Sequence, residues 1–78
     1  MLNLYILKTC PYCLKVLDYL KKRGLKYDTF DINIPQNLDA LLEFGGKNQV
    51  PFLFDPENDV KLYESDDIID YLSKYSEP

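Results

Sequence analysis

The chain has 78 residues, 46% hydrophobic by a broad count and 28% charged, which is room for one small core and fits neither a membrane protein nor a disordered tail. Nine Lys and Arg against 13 Asp and Glu leave a net charge of −4, which argues against a nucleic-acid partner bound through its phosphates. There is no His, so imidazole bases, catalytic triads and imidazole metal ligands are excluded.

Leu2 to Leu7 is an almost continuous apolar run and predicts a strand covered on both faces. No basic leader precedes it, and Lys8 and Pro11 end it too early for a signal peptide or a membrane span. The expected location is therefore cytoplasmic, where thiols are kept reduced, with no membrane partner. Pro11 suits the first turn of a helix, and Cys13, Val16, Leu17 and Leu20 share one helical face. Lys21, Lys22 and Arg23 favour the negative end of that helix and Gly24 stops it, so the predicted span is 11–23. Lys26 to Ile32 predicts a second strand, and its imperfect alternation points to a sheet edge. Pro35 opens a second helix with Leu38, Leu41 and Leu42 as its apolar stripe, closed by Gly45-Gly46. Val50 to Phe54 and Val60 to Tyr63, joined by the turn-rich Asp55–Asp59, predict an antiparallel hairpin. Ser65 is the expected N-cap of a third helix, with Asp66 and Asp67 in its first turn and Ile68, Ile69, Leu72 and Tyr75 facing inward. The order βαβαββα over residues 1–78 is an α/β single domain. Its first two strands should be parallel, because a crossover helix joins them.

Charge is divided along the chain. Residues 1–26 set Lys8, Lys15, Lys21, Lys22, Arg23 and Lys26 against Asp18, a net of +5, while the remainder carries −9. Solvated helix faces explain most of this, and the sharper reading puts the cysteine segment in a locally positive part of an acidic protein.

Cys10-Pro11-Tyr12-Cys13 stands between a buried strand and a helix, the setting in which a CxxC pattern reads as redox-active. Unpaired backbone N–H groups and the positive dipole end at the helix start favour a thiolate at Cys10. Lys8 adds a nearby positive charge. Cys13, one turn further and on the inward face, is the sheltered partner. Cys10 is therefore the attacking thiol and Cys13 the resolving one. Two purely structural cysteines, or half of a zinc or iron–sulfur site completed by a second chain, are the competing readings. Gln49-Val50-Pro51 is a second signal. A proline opening a strand is odd, and a cis bond would account for it, though local grounds alone favour trans. The Val50 backbone is then able to pair with an extended peptide. Glu64-Ser65-Asp66 is a third, where exposed N–H groups suit a carboxylate and acidic side chains suit an ammonium, against simple helix capping.

Together Lys8-Thr9-Cys10-Pro11-Tyr12-Cys13, Gly45-Gly46-Lys47-Asn48-Gln49-Val50-Pro51 and Ser65-Asp66-Asp67-Ile68 resemble the glutaredoxin family of the thioredoxin fold over nearly the whole chain. The resemblance implies a four-stranded mixed sheet flanked by three helices, a cis Pro51 facing the cysteines, and glutathione as co-substrate with no metal. It also implies that Cys10 and Cys13 are catalytic. Lys8, Tyr12, Gln49, Val50, Pro51, Glu64, Ser65 and Asp66 would bind the substrate, with Ser65 and Asp66 at the γ-glutamyl end. The expected activity is reduction of protein disulfides and glutathionylated proteins by a dithiol oxidoreductase, acting in electron transport as a monomer. Departures are Gln49 where the family has Thr, Asn48 where a cation is common, and Tyr63-Glu64 in place of Gly-Gly. The run from Leu62 to Leu72 is more similar to the end of a glutathione transferase N-terminal domain, in which Glu64 and Ser65 would grip the same γ-glutamyl group. Two alternatives keep the fold. One is a redoxin reduced by thioredoxin reductase that donates electrons to ribonucleotide reductase. The other is a non-enzymatic module binding glutathione or an iron–sulfur cluster.

Overall fold

A computed structural model describes residues 1–77. Its elements are β1 (Leu2–Ile6), α1 (Pro11–Arg23), β2 (Tyr27–Asp31), α2 (Pro35–Gly45), β3 (Phe52–Asp55), β4 (Val60–Leu62) and α3 (Ser65–Ser73). The four strands form one sheet in the order β2-β1-β3-β4. β1 and β2 are parallel, in register from Leu2 with Tyr27 to Ile6 with Asp31. β3 is antiparallel to both β1 and β4. β2 lies at an edge, which its exposed Asp28 and Thr29 require, and β1 is central.

Helices cover both faces, and the strands alternate accordingly. Leu4 and Ile6 of β1 and Leu53 of β3 join Cys13, Val16 and Leu20 of α1 and Ile68 and Leu72 of α3 in one core cluster. Tyr5 and Phe52, on the opposite face, pack with Ile32, just past β2, and with Leu41 of α2 in a second. Both faces of β1 are thus buried, which is why its sequence shows no polar alternation.

α1 has the predicted bounds because its ends are chemically marked. Pro11 occupies the first turn. Gly24 adopts φ 66°, a left-handed conformation favoured by glycine, and its N–H reaches the carbonyls of Leu20 and Lys21. Arg23 fastens α1 to the end of α3, donating from Nη1 to the Leu72 carbonyl (2.8 Å) and from Nη2 to the Tyr75 carbonyl (3.3 Å). At the far end of β3, buried Asp55 accepts from the Tyr71 hydroxyl (2.5 Å), Asn58 Nδ2 (2.7 Å) and the Glu57 N–H (3.2 Å). Burial works against its charge, but these donors prevail and hold the carboxyl below its ordinary range.

Five expectations are corrected. β1 ends at Ile6, with Leu7 accepting the Cys10 N–H in the turn that follows. β2 is one residue shorter at each end than 26–32, and β4 stops at Leu62 rather than Tyr63. β3 begins at Phe52 rather than Val50, because Pro51 has no N–H for the ladder, and the Val50–Pro51 bond is cis. The N-cap of α3 is Glu64, in extended conformation, and Ser65 is the first helical residue. The Glu64 carboxylate accepts from Gln49 Nε2 instead of capping the helix. Among the described residues, no helix is long and apolar enough to cross a membrane.

Candidate active site: a dithiol beside a cleft

The C-terminal end of β1 delivers the chain to the cysteines through a tight turn at Lys8 and Thr9, closed by the Cys10 N–H on the Leu7 carbonyl at 3.1 Å. Cys10 is the N-cap of α1, and its Sγ accepts the N–H of Cys13 at 3.4 Å. The helix start therefore points a backbone donor at this sulfur. Both cysteines are free thiols, with Cys10 half-buried and Cys13 fully buried against Val16, Leu53 and Ile68. Burial pushes the Cys13 thiol up to about 12, and contact with the Cys10 sulfur adds to the shift, while a backbone hydrogen bond from Leu7 opposes it. At neutral pH Cys13 holds its proton and is shielded from solvent. The two sulfurs are thus chemically unlike although they share one helical turn.

Next to the dithiol lies a cleft of about 330 Å³ lined by Tyr12, Gln49, Val50, Pro51, Tyr63, Glu64, Ser65 and Asp66. Three separated stretches meet there: the first turn of α1, the loop before β3, and the β4–α3 junction. Tyr12, two residues past the N-cap, is 64% exposed, as a residue on the open flank of a helix start must be. Val50 and Pro51 precede the β1–β3 pairing, which begins at Phe52, so the Val50 backbone lies outside the ladder. At the junction the first N–H groups of α3 have no partner within the helix, and Glu64 and Asp66 set carboxylates beside them.

Seven of the residues predicted for substrate binding thus share one cleft: Tyr12, Gln49, Val50, Pro51, Glu64, Ser65 and Asp66. Lys8 is not brought there; it is exposed in the turn before Cys10. Two residues were missed. Tyr63 lines the cleft, and its hydroxyl takes the Lys47 N–H (3.0 Å) while donating to the Lys47 carbonyl (3.1 Å), which ties the loop before Pro51 to the end of β4. Its ring packs on Phe52 and carries Lys47 Nζ 5.5 Å from its centroid. Lys15 pairs with Asp66 at 2.9 Å, spanning from α1 to the start of α3. Neither link is written in local sequence, because each joins residues far apart in the chain. Among the described residues, no group of three or more His, Cys, Asp and Glu is placed to hold a metal ion.

Residues 4–78 match the family model described as glutathione S-transferase, N-terminal domain. Mouse prostaglandin E synthase 2 is 34% identical over 76 residues, covering 95% of this chain and 19% of that protein. The chain thus spans about a fifth of the length of this curated relative. Among solved structures, the glutaredoxin-like protein NrdH-redoxin from Escherichia coli aligns with a TM-score of 0.75 at 19% identity, over 99% of this chain and 97% of that one. Buckwheat glutaredoxin, solved in complex with glutathione, gives 0.72 at 21% identity, over 92% and 67%. The fold is the thioredoxin-like one these proteins share, with its four-stranded mixed sheet and three helices.

Proposed function

The chain belongs to the family of glutathione S-transferase N-terminal domains, and from that premise we propose that it is a glutathione-dependent thiol–disulfide oxidoreductase working through Cys10 and Cys13. The observation that carries this is the placement of one accessible and one buried thiol at a helix N-terminus, beside a cleft with ammonium acceptors at one end.

In the proposed reaction the Cys10 thiolate attacks the glutathione sulfur of a glutathionylated substrate. The substrate's sulfur leaves as a thiolate and takes a proton from water, and Cys10 is left in a mixed disulfide with glutathione. The thiolate of a second glutathione attacks the sulfur it carries, forming oxidised glutathione and restoring the Cys10 thiolate. For a protein disulfide, Cys10 forms the mixed disulfide with the substrate. Cys13 then resolves it, losing its proton as the substrate thiolate leaves. The Cys10–Cys13 disulfide that results is reduced by two glutathione molecules. In each case two electrons pass from two thiols to one disulfide, with no metal.

Tyr12 and the Val50 backbone flank the glutathione peptide in this reading, Pro51 faces the cysteines, and Glu64, Ser65 and Asp66 receive the γ-glutamyl group. Gln49 holds Glu64 in place from across the cleft. The chain acts as a single domain spanning residues 1–78, monomeric, in a reducing compartment such as the cytoplasm, on glutathionylated or disulfide-containing proteins.

The test is turnover of a glutathionylated peptide, coupled to glutathione reductase. Cys10→Ser loses activity and Cys13→Ser keeps part of it; an active Cys10→Ser variant overturns the assignment. One observation favours a second reading: the two lysines at the cleft's margin are engaged by its own walls, Lys15 by Asp66 and Lys47 by the Tyr63 ring, rather than turned to the carboxylates of glutathione. That suits a redoxin reduced by thioredoxin reductase and serving an enzyme such as ribonucleotide reductase. Running the same assay with thioredoxin reductase separates the two. Unchanged glutathione kinetics in a Ser65→Ala, Asp66→Ala double variant supports the second.

A further inference from the structure

Asp66 is the acidic residue of the cleft that already has a cation. Lys15 stands one helical turn beyond Tyr12 on α1, a spacing that puts both on the same flank of the helix. Its Nζ reaches across to Asp66 Oδ1 at 2.9 Å. Glu64, by contrast, is met by the neutral amide of Gln49. Both members of the Lys15–Asp66 pair are exposed, at 55% and 84%, so the pair is weak and exchangeable rather than a structural lock.

We propose that Lys15 is a specificity-determining residue, which occupies Asp66 in the free protein and so penalises ligands that need this carboxylate for an ammonium group. The inference rests on the reading of the cleft as a glutathione groove. A γ-glutamyl ligand brings an α-ammonium that must displace Lys15 Nζ from Asp66. A disulfide within a protein brings no such group and meets no competition. Lys15 therefore tilts the site toward protein disulfides and away from small γ-glutamyl thiols, and it acts through Asp66 as a positioning residue rather than a catalytic one.

The sign of the effect is diagnostic. Glutathione is an anion overall, so if Lys15 acted only as a nearby positive charge, removing it would weaken binding. If it acts as a competitor for Asp66, removing it strengthens binding. The experiment is calorimetric titration of the reduced protein with S-methylglutathione, whose blocked thiol permits binding but no exchange. Lys15→Gln is expected to bind about 1.5- to 5-fold more tightly than wild type, the range an exposed ion pair spans. Lys15→Arg, which keeps the pair, is expected to stay at the wild-type value. Reduction of insulin disulfides driven by dithiothreitol is expected to run at one rate in all three. Equal or weaker binding by Lys15→Gln overturns the inference, as does a parallel rise in its insulin rate. If none of the three binds S-methylglutathione while all reduce insulin, the glutathione reading itself falls, and this inference with it.

Discussion

Gly45 is the last residue of α2, and a methyl group added there would run into the Tyr63 hydroxyl and ring, with Phe52 at 3.1 Å beyond. The obstacle is a side chain held at both ends, by two hydrogen bonds to Lys47 and by the packing of its ring on Phe52. Gly45→Ala therefore forces Tyr63 out of place. Each hydrogen bond is worth about 0.5–1.5 kcal/mol net and the aromatic pair about as much again. Against that loss, alanine in a helix gains about 0.5–1 kcal/mol over glycine. The balance is a destabilisation of about 2 kcal/mol, read as a lower urea midpoint at unchanged slope. Because Tyr63 is also a wall of the cleft, affinity for S-methylglutathione should fall in the folded variant. Two controls isolate the cause. Tyr63→Phe removes the hydroxyl alone and should cost about 1 kcal/mol. Gly46→Ala meets nothing within 4 Å but sits at φ 83°, so it should cost about 1–2 kcal/mol from backbone strain while leaving affinity intact. A Gly45→Ala protein as stable as wild type, as helix propensity alone would dictate, refutes the argument.

Arg23→Ala removes two carbonyl contacts at the end of α3 and should lower stability by about 1 kcal/mol in urea unfolding, with Cys10 reactivity unaltered. The depressed Asp55 carboxyl contributes stability that is fully present above the ordinary carboxylate range and is lost as pH falls through its lower folded value. Asp55→Asn should flatten that acid limb in a pH series of denaturation curves and cost about 1–3 kcal/mol at neutral pH. At the alkaline end, Cys13 and Tyr71 are raised from 9.0 and 10.0 to about 12, in both cases by burial first, with Asp55 adding to the shift at Tyr71. Both groups stay neutral in the fold while the unfolded chain ionises, so stability should decline as pH rises from about 9 to 12. Tyr71→Phe should remove the part above about pH 10, as followed by circular dichroism.

Legibility in the sequence tracked how local the cause was. α1 was readable to the residue because Pro11, the basic last turn and Gly24 act on their immediate neighbours. The edge position of β2 followed from its own charged residues. The cis state of Val50–Pro51 was not favoured by local chemistry and came only with the resemblance. Ser65 was placed one position off, since a helix start marked by Glu, Ser and Asp in succession has several candidate caps. The choice of Glu64 comes with a side chain engaged by Gln49, fifteen residues earlier. The dithiol was fully legible, being contained in four residues. Seven of the eight residues lining the cleft were named from the sequence, while Tyr63 and the Lys15 link depend on contacts that exist only once the sheet has assembled.

Seven of the eight residues lining the cleft lie at 49–51 and 63–66, whereas the two free thiols lie at 10 and 13, on either side of Tyr12, the eighth. Under the proposed function, reactivity is written at the start of α1 while most of the recognition surface is written some forty to fifty residues later, the two joined through β1 and β3. On that reading, drift in the later stretch can redirect the protein to a new client without touching the thiol pair. On the same reading, loss of Cys10 would silence it whatever it still recognises.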